Sequence, residues 1–307
     1  MASTERVVSL LPSATEIVAA LGCASRLIGR SHECDHPPGV EEISVCTRPR
    51  INLSGSSAEI DSSVKDAVKD AIAIYEVLKD QLQRLAPDVI VTQSQCDVCA
   101  VSLHEVEAAV SSWTGQDVTL VSLEPRTLNG VYKDIGRVAD VLDVKEAGHD
   151  LIAAMTDRAG AVAEKALNLE NPPSVACIEW TDPLMAAGNW VPEMVALAGG
   201  HDLFGKTGEQ APSLTWEALI EADPDVIVLM PCGYGLERTL GELPGLGSQA
   251  GWKDLKAVGD GRVYATDANA YFNRPGPRLA DSIEILAEIL HPGAFDFGYE
   301  GDAWERV

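Results

Sequence analysis

The chain has 307 residues, with 23 Lys and Arg against 47 Asp and Glu, a formal net charge of −24. Such acidity excludes the basic stripe that a nucleic-acid surface needs, and it repels anionic membrane surfaces. A hydrophobic content of 46% and a mean hydropathy of +0.03 describe an ordinary globular protein, long enough for two domains with a core each.

The opening stretch MASTERVVSLLPSATE lacks the basic region, apolar run and cleavage site of a signal peptide. The chain as written is therefore expected in the cytoplasm, or in the periplasm if a leader has been trimmed. No apolar run approaches the 18 or so residues of a membrane span, so no membrane insertion is expected. Arg6–Leu11 predicts a strand, and Ser13 with Glu16 a capping box that opens a helix closed by Gly22. Leu27–Gly29 predicts a second strand, and strand–helix–strand in this order implies a parallel sheet. A helical run through Val64–Lys79 follows, then strands Val89–Thr92 and Val118–Leu123 around a helix Leu103–Trp113, then a helix Thr127–Leu142.

The stretch 143–169 reads as one long helix. Asp143 serves as its cap with Glu146 three residues on, and Ala147, Leu151, Met155, Ala159, Val162, Ala166 and Leu169 share one face. Pro172 and Pro173 stop it, and at 1.5 Å per residue it spans roughly 35–40 Å. Beyond it, Ser174–Glu179, Val226–Met230 and Arg262–Thr266 read as strands, and Val191–Ala198, Trp216–Glu221 and Pro277–Leu290 as helices.

The halves on either side echo each other. Glu16-Ile-Val-Ala-Ala-Leu-Gly22 and Leu27-Ile28-Gly29 return as Glu193-Met-Val-Ala-Leu-Ala-Gly199 and Leu203-Phe204-Gly205. Leu85-Ala-Pro-Asp-Val-Ile-Val91 returns as Ala222-Asp-Pro-Asp-Val-Ile-Val228. A repeat outranks other fold evidence. The expected fold is α/β, with two lobes, each a mostly parallel sheet flanked by helices, joined by one long helix. The lobes are expected at 1–142, with an insertion at about 30–78, and at 170–307, with 143–169 linking them. Open α/β sheets bind ligands beyond the carboxyl ends of their strands, so a ligand is expected in a cleft between the lobes.

Val8-Ser-Leu-Leu-Pro-Ser-Ala-Thr-Glu16, the paired PDVIV strings, the central helix, and Arg262-Val-Tyr-Ala-Thr-Asp267 with Arg274-Pro-Gly-Pro-Arg-Leu279 form one pattern. It resembles the helical-backbone class (class III) of periplasmic-binding-protein folds, which serves ABC importers of cobalamin, ferric siderophores, haem and metal ions. The opening and closing motifs are most similar to the cobalamin-binding members. The resemblance implies non-catalytic binding of a corrinoid or related metal chelate, as an importer's solute-binding protein or a cytosolic carrier. It also implies docking on an ABC permease through one acidic residue per lobe, here Asp80 and Glu217.

A corrin needs flat apolar faces and a few hydrogen-bonding groups. The aromatic candidates are Trp180, Trp190, Tyr234, Tyr271 and Phe272, although such rings more often pack in cores. Ser13, His32, Gln93, Gln95 and Arg274 complete the candidate ligand set.

Seven cysteines show no disulfide framework. Cys96 and Cys99 form a Cys-x-x-Cys pair, and the insertion adds His32, Cys34, Asp35, His36 and Cys46. Three readings compete. The cysteines are buried thiols and the histidines surface groups; or Cys34, His36, Cys96 and Cys99 hold zinc or an iron–sulfur cluster; or His32 or His36 meets the ligand as an axial group on cobalt. The second would make the chain a cytosolic metalloprotein or redox enzyme. No catalytic residue is assigned, because the nucleotide, zinc-protease and nucleophile-elbow motifs are all missing from the sequence.

Overall fold

The computed structural model describes residues 5–69, 74–93, 106, 107, 110 and 117–307. The chain divides into two compact units, Met1–Pro125 with Asn129–Ala153, and Arg126–Leu128 with Ala154–Val307.

Unit 1 carries β1 (Val7–Ser9), β2 (Leu27–Arg30), β3 (Ser44–Val45), β6 (Val89–Gln93) and β7 (Thr119–Leu123) in one sheet. Their order is β3-β2-β1-β6-β7 and every neighbouring pair is parallel. A separate antiparallel pair, β4 (Thr47–Pro49) and β5 (Tyr75–Val77), lies within the insertion. Helices α1 (Pro12–Val18), α2 (Ser57–Lys69), α3 (Lys79–Leu85) and α4 (Leu128–Val141) follow in chain order.

Unit 2 orders β10 (His201–Asp202), β8 (Ser174–Thr181), β11 (Val226–Leu229), β12 (Val263–Thr266) and β13 (Trp304–Arg306) in that sequence across its sheet. The first four are parallel, while β13 and the short β9 (Leu184–Ala186) pair antiparallel at β12 and β8.

Between the two runs α5 (Lys145–Ala166), a continuous helix of 22 residues and so about 33 Å long. The division between the units falls inside it. Met155, Ala159, Val162 and Ala166 form its buried stripe, as the spacing predicts. Gly148 lets it approach α4: a Cβ there would lie 2.6 Å from that of Ala139. Asp143 does not cap this helix. It takes φ 53° and its N–H bonds to Asp140 O, so it ends α4 instead.

The repeat is built into the hydrogen bonding. Val7 sits opposite Val89 in unit 1, and Val175 opposite Val226 in unit 2. One residue earlier, Asp88 Oδ2 accepts from Arg6 N at 2.8 Å and Asp225 Oδ2 from Ser174 N at 2.8 Å. The preceding helices, α3 and α7 (Trp216–Ala222), both end in a left-handed residue before proline, Ala86 at φ 44° and Asp223 at φ 41°. Proline bars continuation of the helix, and the aspartate anchors the strand that follows. The Leu-x-Gly echo is one residue out of step: Leu27 faces Val7, but Asp202, not Leu203, faces Val175.

Alternate residues of the central strands feed one core in each unit. In unit 1, Val8, Leu10 and Ile90 meet Tyr75, Val77 and Leu82. In unit 2, Ala176, Ile178, Ile227 and Leu229 meet Leu219, Trp252 and Leu255. The long helix expected over Val64–Lys79 is corrected by this packing. Its apolar residues Tyr75 and Val77 alternate into the core as strand β5, and α2 ends at Lys69. The helix expected at Leu103–Trp113 lies largely outside the described residues. Unit 2 closes with α6 (Val191–Leu197), α8 (Ala268–Tyr271) and α9 (Leu279–Leu290), the last buried at every residue but Asp281. Its three carboxylates are accounted for: Asp281 and Glu284 pair with Arg158 of α5, and Glu288 accepts from Gly298 N and Trp304 Nε1.

Candidate functional site

The strand ends of unit 1 collect small polar groups. Ser13 is the second residue of α1, which opens on Pro12 after Leu11. The expected capping box is therefore corrected: proline occupies the first helical position, and Ser13 lies inside the helix. Its hydroxyl is buried without a hydrogen-bond partner. Thr15 donates to Ser9 Oγ at 2.8 Å and lies 3.0 Å from Cys34 Sγ. At the end of β6, Thr92 Oγ1 is likewise buried and unpartnered, with Gln93 beside it at 7% exposure.

His32, two residues past β2, is oriented by the insertion. Its backbone N–H and its Nδ1 both meet Thr47 Oγ1, at 3.0 and 2.7 Å, and Thr47 Oγ1 donates to Ser31 Oγ at 3.0 Å. The contact with Thr47 Oγ1 orients the imidazole through Nδ1 and leaves Nε2 as its other ring nitrogen. That Nε2 is buried without a partner. Burial first, then Arg30, holds the imidazole below its ordinary pKa, so it is neutral at pH 7. Its ring packs against Tyr75 at 5.2 Å, and Tyr75 donates to Glu33.

Unit 2 presents rings. Trp180, half-buried at the end of β8, donates to Asp182 O and meets Tyr234 edge-on at 5.4 Å. Tyr234 is 2% exposed, with the Arg238 guanidinium 3.8 Å above its ring, and burial pushes its hydroxyl pKa up. Asn269 N–H donates to Tyr234 O, which ties the loop after β11 to α8. Tyr271 is half-buried, between Tyr299 at 6.2 Å and Arg278 at 5.5 Å. Arg274 is buried and donates to Asn269 Oδ1 at 3.2 Å.

Trp190 and Phe272 are corrected to core residues. They are 6% and 1% exposed, and Trp190 Nε1 donates to Phe272 O at 2.9 Å. The indole N–H is thus satisfied by a backbone carbonyl inside unit 2, and both side chains are buried. Asn189, which the sequence reading passed over, takes φ 53° just before Trp190 and holds a buried, unpartnered Oδ1. Thr92 was missed for a similar reason: it reads as the last residue of an apolar strand. An Asn followed by Trp at a helix start, and a Thr at a strand end, were the available signals.

Among the described residues no group of three or more His, Cys, Asp or Glu is placed to hold an ion. Cys34 is buried and takes its contact from Thr15. Cys46 is also buried, its thiol pushed up to about 11 chiefly by desolvation. His36 is part-exposed, two residues from Cys34. Gln95, Cys96 and Cys99 lie outside the described residues. Asp80 and Glu217 are both exposed second residues of their helices, α3 and α7. No described helix is long and apolar enough to cross a membrane.

Comparison with known proteins places this geometry. A vitamin B12-binding protein of Vibrio campbellii is 22% identical over 92% of this chain and 88% of its own length. The crystal structure of the periplasmic vitamin B12-binding protein of Vibrio cholerae superposes with a TM-score of 0.67 at 20% identity, covering 93% of this chain and 96% of that one. A periplasmic haem-binding protein from Pseudomonas aeruginosa gives 0.70 at 20% identity, covering 94% and 93%. The sequence pattern described as periplasmic binding protein matches residues 7–270. With that match over most of its length, the chain belongs to the periplasmic binding protein family.

Proposed function

We propose that this solute-binding protein of the ABC-importer type, which binds without catalysis, takes a corrinoid of the cobalamin kind as its solute. The observation that carries the reading is the run of relatives named for vitamin B12 or cobalamin, matched over nine-tenths or more of this chain. The strand-end chemistry supports it. A corrin is a broad ring with neutral amide arms, which hydroxyls and amides hold better than charges do. Ser13 Oγ, Thr92 Oγ1 and Asn189 Oδ1 are buried groups in want of a partner. Gln93 and Arg274 add further donors. Trp180 and Tyr271 are the half-buried rings best suited to lie on a corrin face. His32 Nε2, neutral and unpartnered, is suited to a metal centre or an amide proton.

Delivery to a permease belongs to the same reading, with Asp80 and Glu217 as contacts at equivalent positions of α3 and α7. Calorimetric titration of the full chain with cyanocobalamin, cobinamide and haemin tests the solute. One-to-one corrinoid binding at least tenfold tighter than haemin is expected; haemin binding without corrinoid binding would overturn it.

A further inference from the structure

The insertion of unit 1 and α3 line a cavity of about 630 Å³ to which the proposed solute site contributes no residue, although Asp80, the proposed permease contact on α3, borders it. Its lining includes Arg48, Arg50, Lys79 and Arg84, with Glu76 and Asp80 as the two carboxylates. In a chain with 23 basic residues and a net charge of −24, four cations around one cavity are a marked local reversal of sign. We propose that this cavity is a binding site for a small phosphate-bearing molecule.

The cations are placed by different elements and partly pre-oriented. Arg48 of β4 faces Glu76 of β5 across the strand pair, and its Nε and Nη2 grip that carboxylate at 2.9 and 3.1 Å. The fork fixes the plane of the guanidinium before any ligand arrives. Arg84, on the second turn of α3, is steadied by Gln81 Oε1 at 2.6 Å, and among the described residues no ion pair involves it or Lys79. Arg50 follows β4, its N–H bonded to Ile74 O. The cations of the lining outnumber its carboxylates four to two, and positive charge of this kind suits a phosphate monoester, which is anionic near neutral pH. Guanidinium groups suit the tetrahedral oxyanion because each presents parallel N–H donors.

Two features argue for more than a free ion. The cavity is far larger than a phosphate and falls in the range of sites for organic ligands. Val77 and Leu78 give it an apolar wall beside the charges. The chain's overall negative charge does not forbid the site, since opposing charges beyond about 8 Å are screened at physiological ionic strength. The cavity is also specific to unit 1, because β4 and β5 have no counterpart in unit 2.

The test is titration of the full chain with adenosine monophosphate, inorganic phosphate and adenosine, followed by calorimetry and by amide shifts. Adenosine monophosphate is expected to bind at least tenfold tighter than adenosine, with inorganic phosphate between them. The doubly substituted Lys79→Ala, Arg84→Ala chain should lose at least tenfold in affinity for the monophosphate. Both side chains are exposed, so its melting temperature should match the parent, and its corrinoid titration should be unchanged. Adenosine binding as well as its monophosphate, no binding by any of the three, or an unweakened double variant would each overturn the site. None of these results bears on the solute reading, which the corrinoid titration decides separately.

Discussion

The two units share a frame and differ in what they hang on it. Both run a parallel sheet through a Val–Val register, an aspartate that accepts the N–H before the first strand, and a helix ended by a left-handed residue and proline. Unit 1 adds an insertion between β2 and β6 that supplies Thr47 to His32, Tyr75 to the same ring, and four cations around a cavity. Unit 2 keeps that interval short and builds its strand ends from Trp180, Trp190, Tyr234 and Phe272 packed on one another or on backbone. A duplicated frame thus provides two sets of strand ends, and the residues grafted there set the chemistry: hydroxyl and imidazole in one unit, mostly buried aromatic rings with half-buried Trp180 in the other.

The strongest way to break that contrast is Trp190→Ala. If the ring is core, as its burial and its bond to Phe272 O indicate, unit 2 should lose about 3–5 kcal/mol of stability by urea titration. Unaltered stability with lost corrinoid affinity would return Trp190 to the ligand face and dissolve the distinction between core rings and half-buried ones.

A sharper comparison pits the twin aspartates against each other. Asp225 accepts from Ser174 and also pairs with Lys256, whereas Asp88 has only the bond from Arg6 N. Asp225→Ala is expected to cost about 1–3 kcal/mol and Asp88→Ala nearer 1 kcal/mol. The Lys256 and Ser174 contacts hold the Asp225 carboxyl down at about 2 against an ordinary 3.8. Its stabilisation is therefore complete above pH 3.8 and disappears as pH falls toward 2. Acid titration of the Asp225→Ala chain should lack that part of the loss. Equal effects at the two positions would mean that the shared backbone bond is all that matters.

The smallest effect on stability is expected at Ser13. Its hydroxyl has no partner, so Ser13→Ala should change stability by no more than about 0.5 kcal/mol, or raise it slightly. Corrinoid affinity should nevertheless drop several-fold. A loss of stability without a change in affinity would show that the hydroxyl serves the fold alone.

Much of the frame was legible in the sequence because its signals are local. The PDV strings announce a helix stop followed by an all-buried strand, and the stripe Met155–Ala159–Val162–Ala166 announces α5. Where elements depend on distant partners, reading failed. Tyr75 and Val77 look helical in sequence and become a strand only because β4 is there to pair with them. Asp143 and Ser13 look like caps, but the first closes the preceding helix and the second follows Pro12 into the helix. The site was legible by type but not by exposure. Trp180 and Trp190 flank the same loop, yet one is half-buried and the other inside the core.

The amino-acid sequence by itself determined the α/β class, the duplication and the long helix, since periodicity, proline and paired motifs act over a few residues and need no tertiary information. Which polar atoms are left buried without partners, which rings are taken up by the core, and where four cations converge were decided only by tertiary structure. Burial and charge density are sums over neighbours far apart in the chain, and no local pattern records them.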